Sequence, residues 1–342
     1  MNQSNGTIKN KNRFLGQLVM VSLFIVFPII MIFYNGNHAL KGILWDGPEE
    51  QAELQKQSNI DTIKKLKPII FGVYDPENHF SSDSIFRVEH LFIYWNNYNR
   101  KKLLANALLL KERNIQLFIT IEPYALDERN DELFEDILNG NYDTVLLELS
   151  TLLNEIGSKV YLSWGHEMDQ DLVGRYPWSA AEPKDYINSY RYVVDYLNEA
   201  VKNDISWIWS PIVVDDCKKY WPGSEYADYI GMPIYSFPEL DKIHYGSIRS
   251  FSTIFQYKYN IIKSLEKPII ITEMGITGSL DFQDFWLSDA FVKIWKIPEI
   301  EGIFFFYSKD SDGVWGQHVK TPDWRSNDRI LRSLVIWLQE FR

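Results

Sequence analysis

The chain has 342 residues, enough for one barrel-sized domain of ~250 residues with additions. Hydrophobic residues make up 46%, which excludes global disorder, and a net charge of −11 argues against nucleic acid or an anionic membrane surface as the main partner. Aromatics reach 15%, a content that suits stacking on sugar rings as well as core packing, and the single cysteine, Cys217, excludes an intrachain disulfide and an N-terminal lipid anchor.

Phe14 to Tyr34 is a run of 21 residues without a charge, about the length that spans a bilayer core. Lys9, Lys11 and Arg13 precede it, and Asp46, Glu49 and Glu50 follow. The excess of basic residues before the run predicts a cytoplasmic N-terminus (1–13), a transmembrane segment (14–34), and everything beyond on the outer side of a cell membrane. The run is longer than the ~7–15 apolar residues of a cleaved signal peptide, and Asn37-His38-Ala39 is a poor cleavage site, so the reading is an uncleaved signal anchor. Residues 35–67, polar with sparse apolar positions, read as a stem, and 68–342 as the catalytic domain.

From residue 68 short apolar runs alternate with longer amphipathic stretches, the pattern of βα units. The expected strands are Ile69–Tyr74, His90–Trp95, Gln116–Ile121, Lys159–Trp164, Ser206–Trp209, Tyr229–Ile234, Ile269–Thr272 and Gly302–Tyr307. The stretches between them, such as Asp185–Val201, carry apolar residues at helical spacing. Eight such runs predict an α/β fold of the (β/α)8 TIM-barrel type. An open doubly wound sheet gives the same alternation, but no Gly-x-Gly-x-x-Gly fingerprint follows the first strand. On this register the strand ends present Asp75, Trp95, Glu122, Glu167, Pro211, Tyr235, Glu273 and Tyr307 to one shared pocket at the C-terminal face.

Two of these carry the chemistry. Lys159 to Glu167 (KVYLSWGHE) and Pro268 to Gly275 (PIIITEMG) each read as a buried strand that delivers a carboxylate at its end. Either glutamate alone is most simply a cap or an ion-pair member. A strand apolar on both faces, however, leaves a terminal charge either facing a pocket or costly and unpaired. Two carboxylates across one cleft are the equipment of glycoside hydrolysis. His166 adjoins Glu167 as a hydrogen-bonding neighbour; His166-Glu167-Met168-Asp169-Gln170 lacks the second histidine of H-E-x-x-H, so neither metal nor other cofactor is expected. Trp178 and Trp315, in loops after the fourth and eighth strands, are candidate platforms for pyranose rings, and Asp75, Trp95 and Tyr307 candidate pocket-lining residues. Glu122, followed by Pro123, reads as a structural cap.

The order of motifs resembles glycoside hydrolase family 26, the β-mannanase-like members of the barrel clan with catalytic glutamates on strands 4 and 7. The resemblance runs through Gly140-Asn141-Tyr142-Asp143, His166-Glu167-Met168, Tyr176-Pro177-Trp178, Trp207-Ile208-Trp209-Ser210-Pro211, Tyr220 to Gly231 (YWPGSEYADYIG) and Pro268 to Gly275, and covers roughly residues 68 to 335. It implies Glu273 as nucleophile, oriented by the Tyr235 phenol, and Glu167 as acid/base, its carboxyl raised by apolar Trp164 and Met168. The implied activity is a retaining endo-β-glycosidase acting on an extracellular or envelope polysaccharide. Two departures stand beside the acid/base: Ser163-Trp164 where the family has Arg-Pro, and Asp169-Gln170 where it has Asn-Gly. They leave open a β-glucan, a β-xylan or an exopolysaccharide in place of mannan. A non-hydrolysing glycan-binding accessory of polysaccharide export is the reading of another class, and the presence of both glutamates argues against it.

Overall fold

The computed structural model describes residues 68–341 apart from 83, 127–131, 171–175, 313–314 and 316–318. The expected cytoplasmic, membrane and stem segments (1–13, 14–34, 35–67) therefore lie outside the described residues. Among the described residues no helix is long and apolar enough to cross a membrane.

Among the described residues nine parallel strands form the sheet: β1 (Ile70–Tyr74), β2 (Val88–Tyr94), β3 (Gln116–Glu122), β4 (Val160–Trp164), β5 (Ile205–Trp209), β6 (Tyr229–Gly231), β7 (Ile234–Ser236), β8 (Ile269–Ile276) and β9 (Ile300–Phe306). The order β6-β5-β4-β3-β2-β1-β9-β8 closes on itself through a β6–β8 pairing, and β7 extends the C-terminal end of β8. The single sixth strand expected over Tyr229–Ile234 is thus two pieces, parted at Met232-Pro233. Proline has no N–H for the ladder, so the strand breaks there and resumes against the upper half of β8. With β6 and β7 counted as one broken strand, the barrel has its eight staves.

Inside the barrel, Ile70, Val88, Phe118, Tyr161, Ile208, Tyr229, Ile270 and Phe304 form one packed layer, a residue from each stave. The larger core lies between the barrel and its jacket of helices. Those helices are α1 (Arg100–Glu112), α2 (Leu133–Leu138), α3 (Asp143–Ile156), α4 (Pro183–Ala200), α5 (Pro238–Tyr245), α6 (Phe251–Ile262), α7 (Leu280–Ile294) and α8 (Asp328–Phe341). Several boundaries follow local chemistry. Pro183 occupies the first turn of α4, where its missing N–H costs nothing; the Ser250 and Ser279 side chains accept amide bonds at the starts of α6 and α7; and α3 stops at left-handed Gly157.

Candidate active site

The register of the interior layer decides what points into the C-terminal mouth. On β1, β2, β3 and β9 the alternation that turns Ile70, Val88, Phe118 and Phe304 inward also turns Tyr74, Phe92, Glu122 and Phe306 inward at the top. All four line a cleft of about 1110 Å³, joined there by His166, Glu167, Gln170, Tyr176, Tyr235, Lys258, Glu273, Asp310 and Trp315.

On β8 simple alternation fails. Ile270 belongs to the interior layer, and Thr272 bonds Ser210 inside the barrel at 3.2 Å, so Glu273 next in line is due to face outward. Between Ile271 and Met274 the pairing with β9 slips: three residues of β8 stand against two of β9. This bulge inserts the extra residue that turns the Glu273 carboxyl into the cleft. Tyr235, paired with Gly275 across β7–β8, donates its phenol to Glu273 Oε2 at 2.7 Å. Gly275 is needed for that contact, since a Cβ there would stand 2.6 Å from two carbons of the Tyr235 ring.

Glu167 reaches the same place from a tight turn after β4. Gly165 (φ +56°) and Glu167 (φ +55°) both take the left-handed conformation, one free for glycine and strained for glutamate. The turn is held from several sides. The Glu167 amide donates to the Ser210 carbonyl at 2.8 Å, and the indole of Trp178 donates to the His166 carbonyl at 2.7 Å. Asp169, two residues on and buried, accepts the amides of Ile212, Val213 and Val214 at 2.7, 2.9 and 3.1 Å. Gln170 Nε2 donates to Glu167 Oε2 at 3.3 Å.

The outcome is a trio. One carboxylate oxygen of Glu167, one of Glu273 and a ring nitrogen of His166 lie within 4.8 Å of one another. It is the one His/carboxylate set among the described residues with metal-ligand spacing, and an ion there would occupy the gap between the carboxyl groups. Burial first, then the nearby Glu167 charge, push the Glu273 carboxyl up to about 8; the Tyr235 bond opposes the rise, while Asp310 and Glu122 add to it. The Tyr235 phenol is itself raised well above its ordinary value, by burial first and the Glu273 charge second, so it stays a donor. Deeper in the barrel, burial holds His90 well below its ordinary value and therefore neutral, with its Nε2 on Thr120 Oγ1 at 2.8 Å.

Of the residues singled out in the sequence, the structure brings Glu167, Glu273, His166, Tyr235 and Trp315 to one cleft. Trp315 donates its indole N–H to Asp310 at 2.6 Å, an acceptor shared with Trp324 at 2.7 Å. The other four singled-out residues lie outside the lining of that cleft. Trp178 is fully buried and stacks on Tyr176 (4.7 Å, 10° between planes), so it braces the His166 turn and presents no face to a sugar. Trp95 is buried against Tyr142 with its indole on the Tyr124 carbonyl. Tyr307 bonds Asp328 at the start of α8 and stacks on His79. Asp75 accepts the Phe80 amide beside a separate cavity of about 240 Å³ behind β1 and β2. The last three share one cause. Tyr74 and Phe306 hold the inward positions, and the residue after each, like Trp95 beyond β2, leaves the inner face; a one-residue slip exchanges the two faces. Glu122, read as a cap, instead lines the cleft. Trp164 packs on Trp95, Tyr186 and Tyr190 and is not among the residues that line the cleft. Lys258, on a helix, and Asp310, in a loop, gave no sequence signal; inward alternation counted from the interior layer would have found Tyr74, Phe92 and Phe306.

Comparison with known proteins agrees with this geometry. A family model described as glycosyl hydrolase family 26 matches residues 115–310. Endoglucanase H of Acetivibrio thermocellus is 24% identical over 254 residues, covering 70% of this chain and 26% of that protein. The β-1,3-xylanase TXYA of a Vibrio species is 26% identical over 108 residues, 30% of this chain and 22% of that protein. The chain thus spans about a quarter of the length of these curated relatives. Among solved structures, a GH26 β-mannanase from Bacteroides ovatus superposes with a TM-score of 0.54 at 16% identity (76% of this chain, 86% of that one). GH26C from a Muricauda species does so with 0.56 at 14% identity (71% and 79%). These two show the shared barrel, and the family match, which covers more than half of the sequence and both glutamate-bearing strands, shows that the chain belongs to glycosyl hydrolase family 26.

Proposed function

We propose that the protein is a retaining endo-β-glycosidase, anchored in the cell membrane by residues 14–34, whose barrel domain works on an extracellular or envelope polysaccharide. The observation that supports the mechanism is the closeness of the two carboxyl groups: one oxygen of each lies within 4.8 Å of the other, nearer to the ~5–5.5 Å spacing of retaining enzymes than to the ~6.5–9.5 Å of inverting ones. In the first step Glu273 attacks the anomeric carbon while Glu167 gives its proton to the departing glycosidic oxygen. In the second, Glu167 takes a proton from water, which displaces Glu273 from the covalent glycosyl intermediate. Two carboxyl groups this close favour a single shared proton at neutral pH. The phenol of Tyr235 stabilises charge on Glu273 alone, which leaves that proton to Glu167.

The relatives' names, an endoglucanase and a β-1,3-xylanase, have in common a backbone of β-linked pyranoses, and that is the substrate class taken here. A mannan-type polymer is the first candidate from the motif resemblance. Gln170, in contact with the acid/base where the family has glycine, is a ground for a different sugar. A tethered enzyme suits editing of the cell's own polymer. Azide rescue tests the assignment. Glu167→Ala, assayed on an aryl β-glycoside of the turned-over sugar with added azide, is expected to yield the β-glycosyl azide, and Glu273→Ala to be inactive throughout. An α-configured product would overturn retention.

A further inference from the structure

Lys258, on α6, has no part in the chemistry just described, yet it lines the cleft. Its ammonium donates to the Ile212 carbonyl at 2.6 Å and to the Pro233 carbonyl at 2.7 Å. These acceptors lie on two segments that brace opposite halves of the dyad. Ile212 belongs to the loop after β5, whose Ser210 carbonyl holds the Glu167 amide and whose 212–214 amides bind Asp169. Val213 within that loop has φ +68°, a strained value for a β-branched residue, so the loop needs fixing from outside. Pro233 is the break between β6 and β7, two residues before Tyr235, which holds Glu273.

We infer that Lys258 is the positioning residue that ties the acid/base half of the dyad to the nucleophile half, by clamping two carbonyls and by bringing a positive charge into the cleft that holds both glutamates. The inference rests on the roles proposed for Glu167 and Glu273. The charged groups that act on Lys258 are Asp169 and Glu167 from the turn after β4, Glu273 from β8, and Arg249 ahead of α6. Burial lowers its ammonium to about 8, the three carboxylates pull it back upward, and Arg249 pushes it further down. It therefore remains mostly charged at neutral pH, and by reciprocity it favours the ionised forms of Asp169 first, then Glu167, then Glu273. Lysine suits the position because its compact head gives separate N–H bonds to carbonyls on different segments.

The test uses the purified full-length chain in detergent with 4-nitrophenyl β-cellobioside, β-mannobioside and β-xylobioside as probes. Lys258→Met keeps the stem and removes charge and donors. The expected result is a kcat lower by about 30- to 100-fold, the scale of a small misplacement of a catalytic group, with KM within about threefold. The acid limb of kcat/KM, which reports ionisation of the free enzyme, is expected to move to higher pH by about one unit, because the Glu167–Glu273 pair has lost a favourable charge. Lys258→Arg, with charge and two donors retained, should return the limb to its original position and kcat to within about tenfold. A merely structural lysine would lower kcat without moving the limb. That result, or a kcat for Lys258→Met within about threefold of the unaltered enzyme, overturns the inference. If Lys258→Met gives no cooperative melt, Lys258→Gln, with one donor group and no charge, carries the same expectations. Failure of the unaltered enzyme to turn over any of the three probes strikes the proposed function, and with it this inference; loss of the inference alone shows as an active enzyme indifferent to Lys258.

Discussion

Glu273→Gln separates the electrostatic burden of the site from its chemistry. Glutamine has the shape of the acid and still accepts the Tyr235 phenol, so the substitution removes only the charge. Folding raises the Glu273 carboxyl from an ordinary value of 4.5 to about 8, chiefly by burial and then by the Glu167 charge. Between those values the unfolded chain has released both protons, while the folded Glu167–Glu273 pair still holds one, which the Tyr235 bond leaves to Glu167. Stability is therefore fully present below pH 4.5 and is lost as pH rises through about 8, at roughly 1.4 kcal/mol per pH unit. Over that window the penalty reaches roughly 3–5 kcal/mol, and Glu273 is 8% exposed, so little of it is screened by solvent. Glutamine escapes the penalty. At ~2 °C per kcal/mol for a domain of this size, its advantage in Tm should grow from near zero at pH 4.5 to about 6–10 °C at pH 9. Thermal melts of both proteins by circular dichroism across that range measure it, and activity assays confirm that the variant is inert. A difference in Tm that stays constant with pH, or an unaltered enzyme more stable than the variant at pH 9, would refute the burial argument.

Tyr235→Phe removes the 2.7 Å bond to a buried carboxylate, worth about 1.5–3 kcal/mol, so the acid limb of kcat/KM should move up by about one to two pH units; an unmoved limb would mean that the phenol does not hold the charge. Gly275→Ala, with its new methyl 2.6 Å from the Tyr235 ring, should push the phenol off Glu273 and lower kcat at least as far as Tyr235→Phe does, and a variant of full activity would count against the close packing of β7 on β8. Trp178→Phe keeps a buried ring and removes the donor to His166; stability should fall by about 1–2 kcal/mol and kcat with it, while a raised KM instead would return Trp178 to the substrate. Protease added to intact cells should reach the barrel domain, and a high-salt wash should leave it on the membrane; release of a soluble form beginning near residue 40 would show a cleaved signal peptide.

The sequence by itself determined the barrel and the identity of the pair. Apolar runs of strand length, separated by amphipathic stretches, leave few architectures once no dinucleotide fingerprint follows the first run. A carboxylate at the end of a strand as apolar as Pro268–Thr272 must face a pocket or be paired. Which neighbours share that pocket was decided only by tertiary structure. Whether Tyr74 or Asp75, or Phe306 or Tyr307, faces inward turns on one residue of register, and register is set by pairing around the whole barrel rather than by the strand itself. The bulge that aims Glu273 is a mismatch between β8 and β9 and has no signature in either strand alone. Lys258 reaches the site from the middle of α6, across a fold distance that no local pattern encodes, and its role depends on carbonyls, which every residue carries and no sequence distinguishes.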